Sequence, residues 1–241
     1  MRPVRLHTRN CIAAGVVLSV ALLALTLAGV ALGAFTQTAS VTLTAHRSGR
    51  STGVRVDVAA SDPTALGAKP RSVRRLVITF PAATRFNLAT SLVKACRLTD
   101  KQLETSFGPV CPRASQIGSG TAVINASPLT AAPVKVGVRA YDHGAGQLIL
   151  VVAPALIGAP VEVIHVFVSR ARLTVVVPRL IYGKLVPGVL ASLKLYVPAL
   201  GAGRDALITA GRCTAGRFTV GERFAYTNHP PVKLKSTSAC R

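Results

Sequence analysis

Short apolar segments rich in β-branched residues recur along most of this chain, and turn-forming Gly, Pro, Asn or Asp residues separate them. In one segment Val54, Val56 and Val58 alternate with Arg55 and Asp57, which is the period of two expected for a half-buried strand. Many short strands at this spacing are typical of antiparallel sandwiches and barrels. The predicted strands are Val41–Arg47, Val54–Ala59, Val73–Phe80, Thr121–Asn125, Val134–Tyr141, Gln147–Ala153, Val161–Val168, Leu173–Val177, Val189–Val197, Leu207–Cys213, Arg217–Tyr226 and Val232–Ser238. The glycines of Asp142–Gly146 predict a hairpin turn between two of them.

One segment between the strands has a helical signature. Thr99 and Gln102 have the spacing of a capping box, which predicts a short helix over Asp100–Thr105. Because strands and helices do not alternate, a parallel α/β fold is excluded. We therefore predict an all-β antiparallel β-sandwich with one short helix, built as one large or two small sandwich units with a boundary near residues 127–133.

The N-terminus has the pattern of an export signal. Three arginines within the first nine residues precede an uncharged apolar run from Ile12 to Leu32. The small residues Ala31 and Gly33 suit cleavage before Ala34, but the run is long enough to serve as an uncleaved membrane anchor. Residues 1–33 are thus predicted to be a signal peptide or an N-terminal membrane anchor. Residues 34–241 then form an exported region, extracellular or at the cell envelope.

The cysteine content agrees with export. Apart from Cys11 in the N-terminal segment, the chain has four cysteines, and an even number in an exported chain predicts two disulfides. Proximity in the sequence favours Cys96–Cys111 and Cys213–Cys240, although three connectivities are open. The chain has no C-x-x-C pair and no histidine near a cysteine at ligand spacing, so we predict no metal site.

The net charge of +21 predicts attraction to polyanions. Aromatic residues make up only 5% of the chain, and single-strand nucleic-acid binders stack bases on aromatic side chains, so nucleic acid is the least favoured partner. An anionic lipid surface or cell-wall polymer is favoured instead. The alternatives are an Arg-rich composition without a partner and cations that keep edge strands from pairing. The candidate contacts are Arg71, Arg74, Arg75, Lys135, Arg139, Lys233 and Lys235.

Catalytic patterns are scarce. The acidic residues form no recognisable pair of the kind that glycoside hydrolysis uses. Ser115 and Ser119 do not fit G-x-S-x-G, and the nearby glycines lack the lysine of a phosphate-binding loop. We predict no catalytic residue, no cofactor and no identifiable small-molecule ligand.

A conspicuous segment runs from Cys111 to Ala122 and reads CPRASQIGSGTA, with Cys96 ahead of it. This C…CPxxSxIGxGxA arrangement resembles a group of uncharacterised exported proteins of high-GC Gram-positive bacteria. The C-terminal part is similar too, with Leu207-Ile208-Thr209 ahead of Cys213 and a final Cys240, although relatives carry Asn-Pro between the threonine and the cysteine. The resemblance implies a secreted, disulfide-bonded, mostly β protein and implies no activity.

The sequence therefore favours a non-enzymatic protein that works at the cell envelope through binding or structure. The alternative is an exported hydrolase with an unrecognised site at His165 or His143, together with an acid such as Glu162 or Asp142. His165 lies on an apolar predicted strand, where a core histidine with a backbone partner is the other interpretation. A carboxylate within reach of His165 would favour the hydrolase.

Overall fold

The computed structural model describes residues 34–65, 69–88, 92–105, 110–125, 132–154, 161–178, 180–182 and 186–241. The predicted signal or anchor segment lies outside the described residues, and so does most of the predicted boundary near residues 127–133. Within the described ranges, no helix is long and apolar enough to cross a membrane.

Strands account for more than half of the described residues and helices for few of them, as predicted. The strands are β1 Thr36–Leu43, β2 Val54–Ser61, β3 Val73–Thr79, β4 Arg85–Phe86, β5 Gln116–Asn125, β6 Val134–Gly144, β7 Gln147–Pro154, β8 Glu162–Ser169, β9 Arg172–Val176, β10 Leu180–Tyr182, β11 Val186–Val197, β12 Ile208–Thr209, β13 Arg217–Tyr226 and β14 Val232–Ala239. The predicted helix is present as α1, Asp100–Leu103, and both halves of its capping box form between Thr99 and Gln102.

The strands form one large antiparallel sheet and one small one. The large sheet has twelve strands in the order β1-β2-β11-β5-β6-β7-β8-β9-β3-β13-β14, with β10 paired to β11 at its side. β4 and β12 form the second, two-stranded sheet. The all-β antiparallel prediction is confirmed, and its main sheet curls until its two edge strands, β1 and β14, lie against each other.

Side chains join these two edges in what we call the seam. The Ser236 hydroxyl on β14 accepts a hydrogen bond from the backbone N–H of Val41 on β1, at 2.9 Å. The same hydroxyl donates to Oε1 of Glu222 on β13, at 2.6 Å. Nearby, the Tyr226 hydroxyl on β13 donates to Oε1 of Gln37 on β1, at 2.9 Å. The sheet is thus a nearly closed barrel whose last gap is bridged by polar side chains.

The two ends of this barrel differ. At the entry end, β1 begins just after Phe35, β3 and β14 begin, and β13 ends. At the opposite, plugged end, residues of the small sheet and its flanks join the core, including the buried Leu207 and Ile208 and the half-buried Phe86. The rings of Phe80 and Phe86 meet there edge to face with centroids 5.2 Å apart.

The hairpin predicted at Asp142–Gly146 is present between β6 and β7. Ala145 and Gly146 both have positive φ, 50° and 75°, which is the geometry of a two-residue turn that fits the twist of the flanking strands. The two strands that it joins, β6 and β7, pair with each other from Val136 opposite Pro154 to Gly144 opposite Gln147.

Several strand boundaries differ from the prediction, most clearly in β1, β5 and β12. The first strand begins at Thr36 rather than Val41, because Thr36 to Ala39 pair with the far end of β2. The strand predicted over Leu207–Cys213 is reduced to Ile208–Thr209, which pairs with the two-residue β4 and meets Ser51 through an isolated bridge. The length of the pairing partner, which the sequence does not reveal, decides the boundaries of β1 and β12.

Candidate functional site

Both disulfides are present, in the connectivity that sequence proximity favours. Cys96 and Cys111 are bonded, with their Cα atoms 5.3 Å apart, and Cys213 is bonded to Cys240 with a Cα separation of 6.0 Å. Cys96, Cys111 and Leu103 of α1 form a small buried cluster on the outer face of β6, β7 and β8, against Tyr141, Ile149 and Val163. The first disulfide therefore fastens the helical segment to the outside of the barrel.

The CPRASQIGSG segment is a structural joint. Ser115 is buried, and its hydroxyl donates to the Pro112 carbonyl oxygen at 2.6 Å, so it is not poised as a nucleophile. Ile117 packs into the core, as its place in the pattern predicts. At Gly120 a Cβ atom would overlap the Lys194 carbonyl oxygen of β11. The glycine permits a close approach of the two backbones.

Four of the seven predicted polyanion contacts lie on β3 and β14, on one side of the barrel. A register shift opposite Ala225 and Tyr226 inserts an extra residue into β3. Such a bulge leaves the extra residue unpaired, and here Arg74 and Arg75 are both exposed. Lys233 and Lys235 are exposed on β14, two strands away.

Arg223 of β13, which the sequence analysis did not single out, joins these cations into one surface. Arg223 is exposed and lies directly opposite Lys233 in the register, and Ala225, the partner of Arg75, is two residues further along β13. Opposite residues in a sheet have Cβ atoms about 5 Å apart and diagonal neighbours about 7–8 Å. We call this surface the basic strip; it consists of Arg74, Arg75, Arg223, Lys233 and Lys235.

No acid neutralises the basic strip within its own strands. The only acidic residue of β3, β13 and β14 is Glu222, which points inward, is buried and accepts from Ser236. Like charges directly opposite each other on a sheet are destabilising, so the Arg223–Lys233 pair costs stability. The basic strip therefore carries five exposed cations that no exposed acid of these three strands offsets.

The other predicted contacts are placed differently. Arg71 lies 3.7 Å from Asp62 and stacks over the Phe35 ring at 4.4 Å from its centroid, at the entry end. Lys135 and Arg139 are exposed on β6, four strands from β3 in the sheet order. The sequence could not separate these groups because the order of strands in the sheet determines which side of the barrel each cation occupies.

His165 has a carboxylate partner, although not one of the acids expected. Its Nε2 lies 2.9 Å from Oδ2 of Asp100, the first residue of α1, and both side chains are partly exposed. The ring of His143 is 6.3 Å away between centroids, and Phe167 stacks at 6.2 Å. His165 is therefore an outward-facing residue held by the helical segment, rather than a core histidine.

Asp142, the neighbour of His143, stabilises the turn between β6 and β7. Its buried carboxylate accepts the Gly144 N–H at 2.8 Å, and its carbonyl accepts the N–H of Cys96. Burial raises the pKa of this carboxyl above its usual range, with the Gly144 hydrogen bond and His143 opposing the shift. These contacts tie the hairpin to the first disulfide.

The barrel interior holds a cavity of about 100 Å³. Its walls are apolar side chains from opposite sides of the barrel, and Gln37 is the one polar residue among them. Voids larger than a water molecule are few in native cores. At about 24 cal/mol per Å³, an empty cavity of this size costs roughly 2 kcal/mol.

Within the described ranges, no group of three or more His, Cys, Asp or Glu side chains is arranged to hold a metal ion. No family model, curated protein or solved structure matches this chain. The basic strip, the His165–Asp100 pair and the apolar interior are therefore judged on their own geometry.

Proposed function

We propose that this protein is an exported, non-enzymatic component of the cell envelope that holds its basic strip against anionic lipid headgroups. The observation that carries the proposal is the direct opposition of Arg223 and Lys233 on a face whose strands supply no exposed acid. The predicted export segment and the two disulfides support an oxidising location outside the cytoplasm.

The position of the strip favours lipid over wall polymer. Arg74, Arg75 and Lys233 lie near the ends of their strands at the entry end, where β1 begins one residue after Phe35. In the sequence, the predicted export segment stops just before this point. If that segment stays in the membrane as an anchor, the few residues to Thr36 span at most about 3.5 Å each, so the entry end is kept near the headgroups.

The expected attraction is substantial and salt-sensitive. Each Lys or Arg near an anionic leaflet contributes about 1 kcal/mol, and the effect decays within a Debye length of roughly 10 Å. Some cations elsewhere on the barrel have partners: Lys194 lies 3.7 Å from Asp57, and the Arg55 guanidinium lies over the Tyr196 ring at 5.1 Å. The basic strip instead places five exposed cations on three adjacent strands that carry no exposed acid.

Lysine footprinting of the full-length chain tests the proposal. The protein is reconstituted in phospholipid nanodiscs, either neutral phosphatidylcholine or phosphatidylcholine mixed with phosphatidylglycerol, and exposed lysines are acetylated and quantified by mass spectrometry. We expect Lys233 and Lys235 to be protected severalfold in the anionic discs, and the protection to disappear at high salt. Lys135 and Lys194, on other strands of the same molecule, are the internal controls.

Equal labelling of Lys233 and Lys235 in neutral and anionic discs would overturn the proposal. Protection of Lys135 and Lys194 to the same extent would also overturn it, because it would reflect non-specific adsorption of a basic protein. Protection by soluble polyglycerol phosphate but not by anionic discs would replace the lipid surface with a wall polymer.

A second candidate is an exported hydrolase, favoured by the 2.9 Å contact between His165 and Asp100. A carboxylate that orients a histidine is part of many hydrolytic sites. The contacts seen around His165 are with Asp100 and the rings of His143 and Phe167, and they include no hydroxyl or thiol that it could activate. A screen with ester and glycoside substrates supports this candidate only if turnover is lost in His165→Gln.

A further inference from the structure

The residues that line the interior cavity are spread along most of the length of the barrel. On β2 its walls include Val54 and Ala60, which are six residues apart, and at about 3.3 Å per residue this corresponds to roughly 20 Å along the strand. The lining reaches Phe86 and Leu207 at the plugged end and Gln37 and Val73 at the entry end. The space therefore follows the barrel from one end towards the other.

Burial along individual strands shows where the interior is tight. On β1 the inward-facing Val41 and Leu43 are buried, whereas Gln37 and Ala39, nearer the entry end, remain half-buried. On β3 the same gradient runs from half-buried Val73 to buried Ile78. Along β1 and β3 the interior is thus more accessible towards the entry end, so a ligand would enter from the side of Gln37.

The lining offers a ligand almost no hydrogen bonds. The Gln37 amide is already used, since Nε2 donates to the carbonyls of Thr38 and Ala59 and Oε1 accepts from Tyr226. Burial raises the pKa of Tyr226 to about 12, so its hydroxyl stays protonated and keeps donating. Sugars, nucleotides and ions would lose their hydration without compensation in such a space, whereas an alkyl chain would not.

We propose that the barrel interior binds a single fatty-acyl or other long alkyl chain, with the chain lying along the barrel and its polar end at the entry end. The elongated apolar lining supplies the site for the chain. Arg74 and Lys233, exposed near that end, supply cations within reach of a negatively charged head. Filling the cavity recovers contacts that an empty one forfeits. The interior site does not depend on the lipid-surface contact of the basic strip.

Photocrosslinking maps the occupant directly. Full-length protein in phosphatidylcholine nanodiscs is loaded with a fatty acid that carries a diazirine in mid-chain, irradiated, digested and analysed by mass spectrometry. We expect adducts on the inward-facing residues Val175, Leu193 and Leu195, which line the cavity. The outward-facing neighbours Thr174 and Lys194 should carry few.

Two adjacent positions on β9 provide a matched pair of variants. Val175→Phe fills the cavity and should abolish the interior adducts, whereas Thr174→Phe places the same ring on the outer face and should leave them unchanged. Intact disulfides and an unchanged circular dichroism spectrum show that each variant is folded. Leu195→Phe, on the opposite wall, is the second filling variant if Val175→Phe fails to fold.

A neutral long-chain alcohol that carries the same diazirine distinguishes binding in the cavity from binding at the basic strip. Interior adducts that persist with the uncharged probe and at high salt support the cavity, whatever the result of the lysine footprint. Adducts confined to outward-facing residues or to residues 12–32 would overturn it. Interior adducts of equal yield in Val175→Phe and Leu195→Phe would overturn it as well.

Discussion

The Ser236 hydroxyl of β14 accepts the backbone N–H of Val41 of β1 and donates to the Glu222 carboxylate of β13. One side chain thus joins the two edge strands and satisfies a buried carboxylate oxygen. An unpaired strand edge is a template for unwanted pairing. The seam covers both edges without a continuous backbone ladder between them.

Ser236→Ala should destabilise the protein by about 1–3 kcal/mol, because it leaves the Val41 N–H and the Glu222 Oε1 buried without their partner. Denaturant unfolding of the oxidised full-length chain measures the change in free energy of unfolding. Ser238→Ala is the matched control, since the buried Ser238 hydroxyl has no hydrogen-bond partner and its removal should be neutral or stabilising. Equal losses in both variants would contradict a bridging role for Ser236.

Glu222→Gln should change the pH dependence of stability. Burial raises the pKa of Glu222, which the Ser236 hydrogen bond only partly offsets, and its Oε2 has no partner. The folded state therefore holds the proton more tightly than the unfolded state, whose pKa is about 4.3. Stability is greatest below that pH and falls as pH rises through the folded-state pKa.

Denaturant unfolding of the wild type and of Glu222→Gln at a series of pH values tests this pH dependence. The series starts at about pH 4, close to the unfolded-state pKa of Glu. The variant should keep its stability better than the wild type as pH rises, because Gln is never ionised. Burial also raises the pKa of Asp142, which therefore makes stability fall with rising pH in the same way. The pH profile of Asp142→Asn shows how much of the wild-type pH dependence comes from Asp142. Parallel pH profiles for wild type and Glu222→Gln would refute the prediction.

Gly120→Ala should disrupt the pairing of β5 with β11. The added Cβ would overlap the Lys194 carbonyl oxygen and crowd the Leu195 Cα, and overpacking of this kind costs about 1–3 kcal/mol or more. Gly221→Ala is the control on β13, where a Cβ meets nothing within 4 Å. It should gain up to about 1 kcal/mol, because alanine has less chain entropy to lose. Thermal unfolding of the two variants distinguishes these outcomes.

Replacing either cystine by two serines should cost a similar amount. The sequence separations are 15 for Cys96–Cys111 and 27 for Cys213–Cys240, and the chain-entropy estimate is about 3 kcal/mol for the first and only slightly more for the second. Denaturation midpoints of the two double variants, compared with the oxidised wild type, measure the costs. A much larger loss on removing Cys96–Cys111 would show that the helical segment detaches and uncovers the cluster around Tyr141 and Ile149.

Local patterns carry much of what could be predicted. The alternation in Val54–Ala59, the Thr99–Gln102 capping box and the turn at Asp142–Gly146 act through neighbouring residues, and all three form as expected. The short sequence separation within each cysteine pair also favoured the two disulfides. The early start of β5 at Gln116 was missed, because the extended conformation of Gly118 and Gly120 depends on the close approach of β11.

The candidate sites depended on residues far apart in the chain. Arg75, Arg223 and Lys233 become neighbours only through the pairing of β13 with both β3 and β14, and Arg223 has no distinguishing sequence signal. The sequence favoured a core position for His165 and named Glu162 or Asp142 as acids for the alternative site, but its partner is Asp100, because α1 is fastened to the outside of the barrel.

The sequence by itself determined the strand-rich composition, the surplus of positive charge, the cysteines that pair and the apolar segment near the N-terminus. These follow from residue types and from contacts across a few positions. Only the tertiary structure decided that the sheet closes at a Ser236 seam, that five cations share one face, and that apolar side chains surround a cavity. Strand order and curvature fix these features, and they arise from packing among residues that are up to two hundred positions apart.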